Sequence, residues 1–258
     1  MSTTLNDIHP QANIGENVNI GSFTHIGPDV SIGDGTEIGP NVSIFGNTSI
    51  GENCKIFPGA VIGAAPQDLK YKGEKTRVEI GDNTVIRECV TINLGTTDRQ
   101  VTKVGDHCLV MAYVHIAHDT WVGNHCILAN SVQLAGHVTI EDWAILEGLV
   151  AVQQFLTIGA HTFIAGASLV RKNVPPFIKA GREPLGYIGV NSVGLQRRGF
   201  SNEIIRQIED LYRLLYVHNT NVSKGLIIAE SDIPYSKEKL DIIDFINNSE
   251  KGVIRGSR

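Results

Sequence analysis

Residues 104–170 read VGDHCLVMAYVHIAHDTWVGNHCILANSVQLAGHVTIEDWAILEGLVAVQQFLTIGAHTFIAGASLV, and every sixth residue of this stretch is aliphatic. The same register begins far upstream, where isoleucine occupies every sixth position from Ile8 to Ile62 and again Ile80, Ile86 and Ile92. Only Asp68, Glu74 and Asp98 interrupt it before Val170. A fixed internal period of this kind is the signature of a repeat architecture.

A second column of small or β-branched residues lies four positions after each aliphatic residue, as at Val114, Thr120 and Cys126. Such residues favour strands and tight interiors. A period of six does not match the 3.6-residue turn of an α-helix, but a short strand plus a corner fits it. Three hexads would make an 18-residue triangular coil, so we predict a parallel β-helix. Glycine often follows the aliphatic residue, and we expect it to supply backbone freedom at the corners.

Two polar segments leave the repeat, at about residues 65–77 and 93–101, and loops on a rigid scaffold often carry function. The repeat ends near Val174-Pro175-Pro176, because proline stops regular strand pairing. Apolar residues then recur at helical spacing from Ser201, and further helices are expected over 222–231 and 237–248. We therefore predict a β-helix over 1–174, an irregular connector over 175–200 and an α-helical C-terminal domain over 201–258.

The composition narrows the function classes. A net charge of −5 argues against nonspecific nucleic-acid binding, and no apolar run approaches the ~20 residues of a transmembrane helix. The N-terminal MSTTLNDIHP lacks the pattern of a secretory signal, so we expect a cytoplasmic protein. Residues 170–213 are basic, with eight Lys/Arg against four Asp/Glu, which indicates either a solvated face or a docking surface for an acidic partner.

The period of 18 also aligns polar residues into one outward column of His118, Gly136 and Gln154, with His115 beside it and Asp119 following His118. Histidine can act as a general base near neutral pH, and an adjacent carboxylate can orient its ring. A glycine presents its N–H unobstructed, as an oxyanion hole requires. The column contains no serine or cysteine, which favours direct attack by a substrate hydroxyl over a covalent acyl-enzyme. Three of the cysteines fall in the small inward column and are expected to be buried thiols.

The segments QDLKYKGEKTRVEIGD, HIAHDTWVGN, LAGHVTI, VQQFLTIGAH, VPPF and GLQRRGFS, with the terminal GVIR, resemble the acyl-carrier-protein–UDP-N-acetylglucosamine O-acyltransferases over nearly the whole chain. This resemblance implies a left-handed winding and a homotrimer with active sites between subunits. It also implies transfer of a (3R)-hydroxyacyl chain from acyl carrier protein, where phosphopantetheine carries it, to the 3-hydroxyl of UDP-N-acetylglucosamine. That reaction begins lipid A synthesis and requires neither a metal nor a further cofactor.

Carried over position by position, the resemblance gives His118 as the general base, Asp119 as its support and Gly136 as the oxyanion donor. The acyl-chain ruler is at Gly166, with Phe163 close to it. The residues implied in substrate binding are Asp68, Lys70, His115, His137, Gln154, Asn191, Arg197 and Arg198. The chain departs from the family pattern at Gln153, Val193 and Phe163.

Three alternatives stay open at the level of sequence. A related N-acyltransferase or 3-amino-sugar acyltransferase of the same pathway shares the repeat. A trimeric β-helical zinc carbonic anhydrase would need interfacial histidines, for which His107, His115, His118 and His125 are candidates. A structural β-helix, as in ice-binding proteins, would show a regular threonine face and no extruded loops.

Overall fold

The computed structural model describes residues 5–218 and 222–256. Its main body is a three-sided parallel β-helix, in which each strand of an uninterrupted coil pairs with the strand 18 residues further along the chain. His115 pairs with Gln133, and Gln133 pairs with Ala151. The three sides are parallel sheets, called here A, B and C in the order in which the chain visits them, and the turns between them are corners AB, BC and CA.

Most strands have only two residues, because six residues must supply both a strand and a corner. Sheet A contains Asp7–Ile8, His25–Ile26, Ser43–Ile44, Val61–Ala64, Thr91–Asn93, His115–Ile116, Gln133–Leu134, Ala151–Val152 and Leu169–Val170. Sheet B contains Asn13–Ile14, Ser31–Ile32, Thr48–Ile50, Arg77–Ile80, Val101–Val104, Trp121–Val122, Thr139–Ile140 and Thr157–Ile158. Sheet C contains Asn19–Ile20, Glu37–Ile38, Lys55–Ile56, Val85–Ile86, Leu109–Val110, Ile127–Leu128, Ile145–Leu146, Phe163–Ile164, Ile178–Gly181, Gly186–Val190 and Arg255–Gly256.

The aliphatic column of the sequence forms the core of the β-helix. Ile116, Leu134 and Ile164 are completely buried, and so is Val114 of the second column. Burial of one such side chain contributes about 1.5–3 kcal/mol, and each coil covers the apolar face of the next. The thiols expected to be inward, Cys54, Cys108 and Cys126, are buried and free, whereas Cys89 is exposed.

The corners correct our expectation about glycine. The left-handed backbone conformation falls on the third residue after the aliphatic one, for example Asn17, Asp119 (φ 59°) and His137 (φ 63°). Glycine directly after the aliphatic residue is required for a different reason, which is the close approach of the next coil. A Cβ added at Gly33 would lie 2.6 Å from the carbonyl carbon of Gly51, closer than a real Cβ is found.

Both extruded segments leave corner AB. The first spans 65–76, between the strands Val61–Ala64 and Arg77–Ile80, and the second spans 94–100, between Thr91–Asn93 and Val101–Val104. The two loops are joined at their bases, because Leu94 N donates to Ala64 O (2.9 Å) and Thr76 Oγ1 donates to Gly95 O (2.6 Å).

The predicted irregular connector over 175–200 is wrong, because most of this segment is regular. Ile178–Gly181 continues sheet C and pairs antiparallel with Gly186–Val190, and helix α1 (Ser192–Arg197) follows. The strand hydrogen bonds of sheet C thereby extend beyond the hexads, and the sequence pattern did not indicate this.

Three longer helices follow within the described residues, α2 (Asn202–Arg213), α3 (Val222–Asp232) and α4 (Lys237–Asn247), and a π-helical segment (Leu214–His218) extends α2. Ser201 caps α2 by accepting a hydrogen bond from Ile204 N (3.2 Å). The terminal strand Arg255–Gly256 returns to sheet C, so the helical region is held to the β-helix from both ends. Within the described residues, no helix is long and apolar enough to cross a membrane.

We predict that Gly33→Ala destabilises the fold by about 1–3 kcal/mol, the typical cost of overpacking. The matched control is Gly27→Ala at the same hexad position, where the nearest atom to the new Cβ is Gly46 N at 3.2 Å. Urea unfolding midpoints provide the measurement. Equal midpoints for the two variants would contradict the close-approach explanation.

Candidate active site

His118 and Asp119 form a hydrogen-bonded pair at corner AB. His118 Nδ1 lies 2.9 Å from Asp119 Oδ2, and the side chains are 15% and 0% exposed. Because an ionised carboxylate only accepts hydrogen bonds, this contact places the proton of neutral His118 on Nδ1. The lone pair of Nε2 is then free to accept a proton from a bound molecule. Asp119 has the left-handed backbone conformation of this corner (φ 59°).

Asp119 is buried, and both of its carboxylate oxygens accept hydrogen bonds. Oδ1 accepts hydrogen bonds from the N–H groups of Thr96 (2.9 Å) and Arg99 (3.2 Å), and Oδ2 accepts one from Thr96 Oγ1 (2.6 Å). Burial by itself would raise the pKa of Asp119. The hydrogen bonds from Thr96 and His118 outweigh burial and hold the pKa of this carboxyl below its usual value. Asp119 is therefore ionised at neutral pH.

His137, one coil above Asp119, completes a small cluster. Its Nε2 lies 3.8 Å from Asp119 Oδ2, its ring packs edge-on to that of His118 (5.1 Å), and its other face stacks on Phe155 (4.4 Å). Asp98 Oδ2 approaches His137 Nδ1 to 3.0 Å, although the angle does not make a hydrogen bond. Burial lowers the pKa of His137, so it is neutral near pH 7 and adds no positive charge beside His118.

Gly136, one coil above His118, lies directly against the His118 ring. An added Cβ would be 2.6 Å from His118 Cε1 and 2.7 Å from Nε2, so the ring occupies the volume that any side chain at 136 would need. Within the described residues, the N–H of Gly136 has no acceptor, although the residue is buried. Buried backbone donors without a partner are rare in folded proteins. This N–H is therefore available to a ligand next to the Nε2 of His118.

Corner BC contrasts with this arrangement. There, several N–H groups at the same hexad position as Gly136 are bound by a carboxylate or amide of the next coil. Asp106 N donates to Asn124 Oδ1 (2.8 Å), and Asn124 N donates to Asp142 Oδ1 (2.8 Å). At corner AB the residue of the next coil is Gln154, which is exposed and makes no such contact. The same repeat thus contains corners whose N–H groups are bound by side chains and a corner where a buried N–H has no acceptor.

The remaining residues predicted for the site are only partly brought together. His115 lies on sheet A next to the cluster, with Nδ1 2.7 Å from Thr91 Oγ1, and burial together with the charge of His118 lowers its pKa. Asp68 and Lys70 lie on the first loop, where Lys70 N donates to Asp68 Oδ1 (2.9 Å). Within the described residues of one chain, neither has a recorded contact with His118.

The predicted sugar-nucleotide residues lie at corner BC rather than corner AB. Asn191 is 6% exposed, its Oδ1 caps α1 by accepting from Gly194 N, and its Nδ2 donates to His161 O (2.9 Å). Its side chain is thus already engaged within the fold. The Arg198 guanidinium lies over the ring of Trp143 (5.2 Å), and Arg197 is exposed.

The two residues predicted to limit acyl length lie at a third place. Gly166 is exposed at corner CA, where an added Cβ would contact Gly148 O at 3.2 Å. Phe163 lies on the outer side of sheet C, in register with Ile145 and Lys179. One chain therefore distributes the predicted site residues over all three corners.

Thr96, Arg99 and Asp98 were not among the predicted site residues. The interruption at 93–101 was the available signal, but the sequence does not reveal which of its residues reach Asp119. In the part of the chain that the structure describes, one group of ligating atoms could hold a metal ion, from His118, Asp119 and His137. His107 and His125 stack on each other at corner BC (4.9 Å), away from that group.

This combination of hexapeptide coils with a histidine–carboxylate pair and an unpaired glycine N–H defines a hexapeptide-repeat acyltransferase. Residues 11–46 and 102–136 match the model of the bacterial transferase hexapeptide family. Residues 173–254 match the model described as UDP-N-acetylglucosamine O-acyltransferase, domain 2.

Named relatives give the particular family. An acyl-[acyl-carrier-protein]–UDP-N-acetylglucosamine O-acyltransferase of Thiobacillus denitrificans is 43% identical over 75% of this chain and 76% of its own, and one of Herminiimonas arsenicoxydans is 44% identical over 76% and 77%. The crystal structure of a Bacteroides fragilis UDP-N-acetylglucosamine acyltransferase is 49% identical and superposes with a TM-score of 0.96, covering 99% of this chain and 100% of that one. The Francisella novicida enzyme is 40% identical with a TM-score of 0.94, covering 100% and 95%.

The chain belongs to the family of acyl-[acyl-carrier-protein]–UDP-N-acetylglucosamine O-acyltransferases. The predicted enzyme class is confirmed, and so is the left-handed parallel β-helix with C-terminal helices. The relatives are named O-acyltransferases, so neither the N-acyltransferase alternative nor the zinc carbonic anhydrase is favoured.

We predict that Gly136→Ala lowers kcat by a hundredfold or more, because the new methyl group must displace the His118 ring. The matched control is Gly148→Ala at the same hexad position of corner CA, where the nearest atom to the new Cβ is Asn130 O at 3.4 Å. Steady-state kinetics with thermal unfolding of both variants provide the measurement. Near-wild-type kcat in Gly136→Ala would show that the ring position is not essential.

Proposed function

We propose that this protein transfers a (3R)-hydroxyacyl chain from acyl carrier protein to the 3-hydroxyl of UDP-N-acetylglucosamine, the first step of lipid A biosynthesis. The observation that carries the proposal is that His118 Nε2 lies next to Gly136, whose N–H is unpaired, on a chain of this family. The donor and acceptor are the substrates that the relatives are named for.

His118 acts as the general base. Its Nε2 takes the proton of the sugar 3-hydroxyl while that oxygen attacks the thioester carbonyl carbon. Asp119, ionised and immobile, accepts the Nδ1 hydrogen bond and stabilises the imidazolium that forms. Because Asp119 is completely buried, little solvent screens this charge interaction.

Gly136 N–H stabilises the oxyanion of the tetrahedral intermediate. No hydrogen bond must be broken before this N–H binds the oxyanion, because no acceptor in the described chain occupies it. When the intermediate collapses, the carbon–sulfur bond breaks, and the imidazolium of His118 returns the proton to the departing phosphopantetheine thiolate. No acyl-enzyme forms, because the nucleophile is the acceptor hydroxyl itself. Removing a single oxyanion donor typically lowers kcat by ~10²–10³.

The active unit in this proposal is a homotrimer. Asp68 and Lys70, Arg197 and Arg198, and Gly166 lie at different corners of one chain, so a neighbouring subunit must bring some of them to His118. A cleft between subunits would place His115, His137 and Gln154 of one chain opposite these residues of another. The arginines would then pair with the phosphates of the sugar nucleotide.

Acyl carrier protein would dock on the basic surface of residues 170–213, where Lys172 and Arg206 are exposed. Arg171 and Arg213 on that surface already pair with Glu183 (3.4 Å) and Asp210 (2.6 Å). We place the reaction in the cytoplasm, where acyl carrier protein delivers its chains, and the proposal involves no metal or further cofactor.

His118→Ala is expected to leave the fold intact and to lower kcat by about 10²–10⁴, the range for loss of a general base. His107→Ala, which removes an exposed histidine that stacks on His125 at corner BC, is the control and should retain activity. The measurement is mass spectrometry of the product formed from UDP-N-acetylglucosamine and a mixed pool of hydroxyacyl carrier proteins. Absence of product with wild-type protein would refute the function, and undiminished turnover of His118→Ala would refute the base.

Gly166→Met is expected to shift the donor preference from long hydroxyacyl chains, around fourteen carbons or more by family resemblance, to shorter ones. Each methylene that loses its contact forfeits ~0.8 kcal/mol, so excluding four costs ~3 kcal/mol, about a hundredfold in kcat/KM. A chain-length series of kcat/KM for wild type, Gly166→Met and Phe163→Ala provides the measurement. An unshifted preference in Gly166→Met means that residue 166 does not limit acyl length, and a shift in Phe163→Ala alone assigns that limit to the phenyl ring.

A further inference from the structure

The second extruded loop, residues 94–100, supplies most of the hydrogen bonds that hold Asp119. Each carboxylate oxygen accepts two: Oδ1 from Thr96 N and Arg99 N, and Oδ2 from Thr96 Oγ1 and His118 Nδ1. Three of these four donors belong to the loop. The Thr96 Oγ1–Oδ2 distance of 2.6 Å is the shortest of the four, as expected for a hydroxyl bound to an anion.

We propose that Thr96 is a positioning residue for the acyl transfer, and that it acts on His118 through Asp119. By occupying the remaining acceptor sites of the carboxylate, Thr96 and the Arg99 N–H stop it from rotating. The plane of the carboxylate then fixes the plane of the His118 ring beside Gly136. This inference rests on the proposed function, in which His118 is the base.

Thr96 Oγ1 also adjusts the charge that His118 experiences. It shares Oδ2 with the histidine, so it withdraws part of the negative charge that would otherwise stabilise the imidazolium. A base that returns its proton within one catalytic cycle needs an imidazolium that is stabilised, but not so strongly that it keeps the proton. The hydroxyl therefore has an electrostatic role as well as a geometric one.

Arg99 fixes the loop in place. Its Nη1 donates to the carbonyl oxygen of Asp119 (3.0 Å) and to Thr139 Oγ1 (3.2 Å), and its guanidinium lies 4.7 Å from the ring centre of Trp121. Trp121 is fixed in turn by its own hydrogen bond to Val101 O (3.1 Å). These contacts attach the loop to Asp119 and to two strands of sheet B.

The decisive variant is Thr96→Val, which keeps the backbone N–H and the branched shape but removes the hydroxyl. We expect kcat to fall roughly tenfold with little change in KM, the factor for one hydrogen bond to a charged group. The Nδ1–H tautomer of His118 should also be held less firmly, because the carboxylate that accepts its hydrogen bond can then rotate. Thr96→Ser should restore both properties.

The matched control is Thr84→Val. Thr84 is also buried, and its hydroxyl donates to Gly105 O (2.8 Å) and accepts from Cys108 N (3.1 Å) at corner BC, whereas the catalytic pair lies at corner AB. This variant should lose thermal stability while keeping the wild-type kcat and the wild-type tautomer of His118. If Thr96→Val behaves as Thr84→Val does, the hydroxyl is only structural and the proposal is overturned.

A measurement without turnover separates this proposal from the proposed function. Histidine ¹⁵N shifts, with His118 assigned by comparison with His118→Gln, report its tautomer directly. We expect the Nδ1–H tautomer of His118 in wild type and a mixture of tautomers in Thr96→Val. An unchanged tautomer overturns the positioning role whether or not the protein acylates UDP-N-acetylglucosamine. Absence of acylation by wild type together with an altered tautomer in Thr96→Val overturns the proposed function alone.

Arg99→Met tests the attachment of the loop to sheet B. It keeps the apolar stem beside Trp121 and removes the guanidinium contacts. Hydrogen exchange of the 94–100 amides, above all that of Thr96, should become faster than in wild type. Unchanged exchange would show that Arg99 does not fix the loop.

Discussion

The structure depends on the register in which each residue stacks on the residue 18 positions further along the chain. Burial of the aliphatic column sets this register, because a shift by one residue would move every inward side chain to the surface. The loops are tolerated because the register resumes after each of them: Val101–Val104 pairs with Arg77–Ile80 below and with Trp121–Val122 above. The same register that stacks isoleucines inside also stacks His118 on Gly136 outside.

The corners show how one repeat produces both scaffold and site. At corner BC, side-chain oxygens bind the free N–H groups, and aromatic rings stack from coil to coil. That stack comprises His107, His125, Trp143, His161 and Phe177. Burial and the nearby Arg198 lower the pKa of His161 to about 4, so the stack is uncharged there at neutral pH. Corner AB has the same backbone conformation but leaves the N–H of Gly136 unpaired, and the proposed chemistry uses that donor.

Burial and hydrogen bonding set the charge states of the ionisable groups next to His118. Burial lowers the pKa values of His115 and His137, so both are neutral near pH 7. Asp119 is held ionised by its hydrogen bonds. Asp119 thus supplies a completely buried negative charge that is hydrogen-bonded to His118 Nδ1. A buried carboxylate in such a setting interacts strongly with a proton arriving on the ring.

The sequence by itself determined the β-helix, the inward columns and the alignment of His118 with Gly136. A strict period of six stacks residues 18 positions apart on one another, and burial of the aliphatic column holds that register. It also indicated, through the broken register at 93–101, that a loop mattered. Only the tertiary structure decided that Thr96 and Arg99 of this loop reach Asp119, since the path of an aperiodic segment depends on contacts between coils. The strands within 175–200 and the internal use of the Asn191 side chain likewise arise from sheet C and helix α1, which no local pattern encodes.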